Sequence, residues 1–142
     1  MDADRKTMET ALKQTCVPVL REMGFKGSFP NFCRETGGFV ALVNFQFYSA
    51  GGSFCVNLGY ADPERRNVYH QPETPPGKLQ VSQTSDRVRL GEKPGGDNWF
   101  SFGPTTYGEV RGEPMTVEAI VTQCTDLLRS EAEGWWAGKE RG

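Results

Sequence analysis

The side chains that could do chemistry are few in this chain of 142 residues. His70 is its one histidine. Any Ser-His or Cys-His relay would have to use it, and a histidine-rich metal site is impossible. It follows Tyr69 in a proline-rich stretch where nothing in the sequence holds its ring, so it reads as a solvent-facing loop residue. The four cysteines, Cys16, Cys33, Cys55 and Cys124, contain no Cys-x-x-Cys pair, which argues against zinc and thioredoxin-like redox chemistry. Glu35, Asp62, Glu64 and Asp86 have no spacing that pairs them and read as solvated charges. Gly91 to Gly96 is glycine-rich but lacks the Gly-Lys-Ser/Thr ending of a phosphate loop, so it reads as ordinary turn chemistry. The sequence therefore assigns no catalytic residue, no metal ligand and no cofactor.

The elements that would position a site are clearer. Met8, Leu12, Cys16, Val19, Leu20 and Met23 recur at helical spacing and predict a helix over 4–23, capped by Asp2 or Asp4 and stopped by Gly24. Pro18 lies inside it and predicts a kink or a new turn near Thr15. Strands are predicted at about 31–36, 39–48, 54–60, 86–90 and 98–102. The second is apolar at nearly every position, as expected of a central strand covered on both faces for part of its length. Residues 62–83 carry several prolines and few apolar side chains, and read as a long surface loop. Val117, Ile120, Val121, Cys124, Leu127 and Leu128 predict a helix over 116–133, with Thr116 as cap and Gly134 as stop. At least one of Trp135 and Trp136 should fold back onto the domain. Cys16 and Cys124 lie on these helical stripes and read as small core residues. The order helix, meander, loop, strands, helix gives an α+β fold. It is a single domain over 1–142, an antiparallel sheet of four or five strands with both helices on one face.

Strand register brings polar residues together. A two-residue turn at Gly37-Gly38 pairs Asn31 with Asn44, and a four-residue loop over Ser49 to Gly52 pairs Asn44 with Asn57. The two turns independently align Asn31, Asn44 and Asn57 in one row. Phe32, Phe45, Phe47, Phe54, Val56 and Leu58 fall on the opposite, helix-covered face. Gln46 and Cys55 extend the polar side, and Arg87 and Arg89 join it if the fourth strand pairs alongside. Asn31, Asn44, Gln46, Asn57, Arg87 and Arg89 are thus the candidate binding residues. The same row would also suit the plain wet face of an antiparallel sheet.

Charge and hydropathy narrow the partners. Sixteen basic residues against eighteen acidic give a net charge of −2, with no dense basic stripe, which disfavours nucleic acid. No apolar run approaches the roughly 20 residues of a membrane helix. The charged start, Met1 to Lys6, is unlike a signal peptide, so a cytoplasmic protein with reduced thiols is expected.

One series of motifs adds a resemblance. Leu12-x-x-x-x-x-Pro18 in a helix ending at Gly24-Phe25-Lys26 is followed by Phe32-x-Arg34 and Val43-Asn44-Phe45-Gln46. Phe54-x-Val56-Asn57-Leu58-Gly59, Arg87-x-Arg89-Leu90-Gly91 and Trp99 complete it. Their order and spacing, from about Leu12 to the final helix, resemble the bacterial family called domain of unknown function 4304. That resemblance implies a small α+β protein of unassigned function and brings no catalytic residues with it. The functional expectation is a non-enzymatic protein-binding module, immunity- or antitoxin-like, that occludes a protein partner. The alternative is a small-ligand-binding or enzymatic domain using the polar sheet face with the 62–83 loop as lid.

Overall fold

The computed structural model describes residues 4–69, 74–91, 99–109 and 114–141. Helix α1 (Arg5–Glu22) begins where the Asp4 carboxylate accepts from the Thr7 amide at 2.8 Å. It runs as one helix through Pro18, so the alternative of a new turn near Thr15 is corrected. Pro18 is exposed, so the one backbone donor it removes leaves no buried group unpaired. Gly24, at φ +96°, turns the chain out of the helix into β1 (Lys26–Ser28), a short edge strand that the sequence pattern does not signal.

The sheet continues through β2 (Asn31–Thr36), β3 (Phe39–Phe47), β4 (Ser53–Ala61) and β5 (Arg87–Arg89) in that spatial order, all antiparallel. A sixth strand, β6 (Phe100–Ser101), pairs with β4 further along the edge used by β5. Gly37 and Gly38 both take positive φ, the two-residue hairpin geometry that sets the β2–β3 register. The pairings Asn31–Asn44 and Asn44–Asn57 follow as expected.

The α+β class and the helix-covered face are borne out. Met8, Leu12, Cys16 and Leu20 of α1 pack with Ile120, Cys124 and Leu128 over Phe32, Phe45, Phe54, Val56 and Leu58. Helix α2 (Val117–Leu127) is capped by Thr116, whose hydroxyl accepts from the Ala119 amide at 3.1 Å. The expected stop at Gly134 is corrected. One π-helical turn, Leu128–Ala132, passes directly into α3 (Glu133–Arg141). The spacing Leu128, Ala132, Trp136 keeps three wholly buried side chains on one line, and Trp136 donates its indole N–H to the Gly59 carbonyl at 2.9 Å. That burial outweighs the modest helix cost of Gly134, whose Cβ position faces open space. Arg34 locks the junction. It donates to both Glu133 oxygens (3.0 and 2.6 Å) and to the Met23 carbonyl, and lies over the rings of Phe25 and Trp136.

The second sheet face departs most from expectation. Residues 62–83 are not simply a surface loop. Two 3-10 turns, Pro76–Lys78 and Val81–Gln83, lay Leu79 and Val81 against Cys33, Val40, Leu42 and Ala61. Ahead of them, the Asp62 carboxylate accepts from the Glu64 and Arg66 amides, and Asp86 accepts from the Tyr60 hydroxyl. Both acids organise the structure and are not merely solvated. Among the described residues no helix is long and apolar enough to cross a membrane. His70, Pro72, the 92–96 part of the glycine-rich turn and Asn98 of the expected fifth strand lie outside the described residues.

Candidate functional site

The cover over the second face stops at Val81, and a cleft opens beside it. Its volume is about 590 Å³, and Asn44, Gln46, Asn57, Ser82, Arg87 and Arg89 line it. Strand alternation puts the amides there, since residues 44 and 46 of β3 and 57 of β4 share the parity opposite Phe45 and Val56.

The amides form one hydrogen-bonded series. Arg89 Nε donates to Asn57 Oδ1 across 3.4 Å. Asn57 Nδ2 donates both to Asn44 Oδ1 at 3.0 Å and to Gln46 Oε1 at 2.9 Å. Asn44 Nδ2 donates onward to Asn31 Oδ1 at 2.8 Å. A guanidinium nitrogen can only donate, so Arg89 fixes which end of Asn57 is oxygen and thereby the sense of the series. Cys55, beside the row, is wholly buried with its thiol 3.8 Å from both Gln46 Oε1 and Asn57 Oδ1. Arg89 also lies over the Trp99 ring at 4.9 Å, and Trp99 meets Tyr48 edge-on.

The structure therefore brings Asn31, Asn44, Gln46, Asn57 and Arg89 into one network. Arg87, opposite Gly59 in the register, lines the same cleft without bonding to the amides. Asn31 ends the row on the far side and faces a different groove, lined by Ser28, Pro30 and Lys78. Sequence reasoning missed the wall formed by Val81 and Ser82 and the stacking of Trp99 on Arg89. Two signals point to the wall. Leu79 and Val81 are the apolar pair in an otherwise polar segment, and Gly59 leaves room for it: a Cβ there would stand 2.8 Å from Thr84 Oγ1.

Among the described residues no group of histidine, cysteine and carboxylate side chains is placed to hold a metal ion. No carboxylate or imidazole is among the cleft-lining side chains described above. Guanidinium groups stay protonated at any working pH and cannot shuttle a proton. The wall can bind and orient, through N–H donors and positive charge.

No curated protein and no solved structure matches the chain. The family described as "Domain of unknown function (DUF4304)" matches residues 16–138, most of the chain, including every strand and the amide row. The protein belongs to the family of domain of unknown function 4304.

Proposed function

We propose that the protein is a non-enzymatic binding module that engages a protein partner through the open half of its second sheet face. One observation carries this reading. Side-chain amides and two arginines converge on a cleft whose described wall offers no general acid or base. In this reading the module works in the cytoplasm and acts by occlusion, as an immunity or antitoxin protein does. A net charge of −2 keeps nucleic acid out of the reading.

A second reading has its own support. The cleft volume of about 590 Å³ suits a small molecule, and the 76–83 segment forms a wall against which one could lodge.

Photo-crosslinking in the native host separates the two. A benzoylphenylalanine in place of Ser82 should capture a discrete protein partner, whereas one in place of Thr10, on the outer side of α1, should not. The same protein captured from both positions, or none from Ser82, overturns the module reading. A small molecule retained by the purified protein in native mass spectrometry would favour the second.

A further inference from the structure

The sense of the amide series decides what the cleft can accept. Each carbonyl oxygen in it, on Asn31, Asn44, Gln46 and Asn57, already accepts a hydrogen bond. The unspent donor capacity is on nitrogen. Gln46 Nε2 has no partner among the described residues, and Asn44 Nδ2 spends one hydrogen of two. Arg87 makes no ion pair with any described residue and stands on the same wall. The wall is thus donor-rich and cationic, with no carboxylate among its described residues.

Such a wall selects an anion, and the amide donors beside its arginines favour one kind. Guanidinium groups take phosphate as well as carboxylate, but no lysine, the other common phosphate binder, is among the lining residues. Planar guanidinium and amide donors match a planar carboxylate, which can take two parallel N–H bonds. We infer that the cleft recognises carboxylate side chains on an acidic segment of the partner protein, with Gln46 and Arg87 as the principal contacts. This inference rests on the binding-module reading and names the chemistry of its partner.

The test is a titration of the full chain followed by side-chain amide and guanidinium NMR. Three probes are used: a capped pentapeptide alternating glycine and glutamate, the same peptide with glutamine for glutamate, and inorganic phosphate at matched ionic strength. The glutamate peptide should shift the Gln46, Asn44 and Arg87 resonances saturably, and the other two should not. Gln46→Glu is the decisive variant. It keeps an oxygen to accept from Asn57, turns the exposed donor into an acceptor and adds a negative charge. It should weaken the glutamate peptide by about tenfold or more, since it sets like charges together. Its unfolding midpoint should stay at the wild-type value, which separates lost recognition from lost fold. Equal shifts with the glutamine peptide overturn the carboxylate inference while leaving a binding cleft in place. Equal shifts with phosphate, no shift with any probe, or full affinity in Gln46→Glu also overturn it. The crosslinking outcome judges the module reading separately.

Discussion

Gly59→Ala tests whether the 76–84 segment truly lies on the sheet. Gly59 is in β4 between Leu42 and Arg87, with ordinary extended backbone, so alanine brings no φ strain there. Taken alone, the change should stabilise by about 0.4–1 kcal/mol, because the unfolded chain loses freedom. The structure opposes this. The new Cβ would stand 2.8 Å from Thr84 Oγ1 and 3.2 Å from Val81 Cγ1. Neither atom can move aside cheaply. Thr84 is wholly buried and its hydroxyl donates to the Val81 carbonyl at 2.8 Å, while Val81 is packed on Cys33, Val40 and Leu42. Overfilling of this kind costs about 1–3 kcal/mol, so the net effect should be a loss of about 1–2 kcal/mol. Urea denaturation at constant m reads it as a lowered midpoint. Thr84→Ala alone should cost about 1 kcal/mol for its lost hydrogen bond. The double variant should cost less than the sum of the singles by about 1 kcal/mol, because removing Thr84 Oγ1 relieves the clash. A neutral or stabilising Gly59→Ala that adds simply to Thr84→Ala would refute the packing.

Register makes a second prediction. Phe45 is buried against the rings of Phe29, Phe32 and Phe54, so Phe45→Ala should cost about 3–5 kcal/mol. Asn44→Ala, which gives up two half-buried amide bonds, should cost about 1–2 kcal/mol by the same denaturation, and a reversed order would mean a slipped strand. Arg34→Lys keeps the charge but loses the paired bonds to Glu133 and the stacking on Phe25, so a loss of about 1–3 kcal/mol is expected; an unchanged midpoint would show the clamp to be idle. Stability should also fall at alkaline pH. Burial raises the Cys124 thiol well above its ordinary 9.0, aided by the Cys16 thiol beside it. Burial likewise raises the Tyr60 hydroxyl above 10.0, aided by its bond to Asp86. The unfolded chain therefore releases these protons first, and the stability they contribute, intact below pH 9, drains away as pH rises through the folded values. Cys124→Ala should flatten that decline, and denaturation midpoints between pH 8 and 11 measure it, at about those bounds.

The parts of the fold legible in the sequence were those governed by short-range rules. Asp4 and Thr116 are caps by side-chain type, Gly24 a stop by backbone freedom, and Gly37-Gly38 a hairpin by paired positive φ. Because a hairpin turn sets register, the amide row could be placed from two loop lengths. What escaped depended on long-range contacts. Gly134 carries the ordinary signal of a stop, and only Trp136 in the core and Glu133 on Arg34 show why the helix goes on. Residues 62–83 have the composition of a loop because Leu79 and Val81, with half-buried Val68 beside them, are enough to anchor them. Composition averages such a pair away.

The extent of the cover has its own cause, and it is written along β3. On the second face this strand reads Val40, Leu42, Asn44, Gln46, apolar for its first half and amide for its second. Val40 and Leu42 are wholly buried and need a cover, which Leu79 and Val81 supply. Extending that cover over Asn44 and Gln46 would bury N–H groups that have no partner within the row, at about 1–3 kcal/mol for each donor left unsatisfied. The segment therefore gains by packing as far as Val81 and loses by going further. The cleft lies where that balance changes sign, and any chain that closes it must bring acceptors of its own.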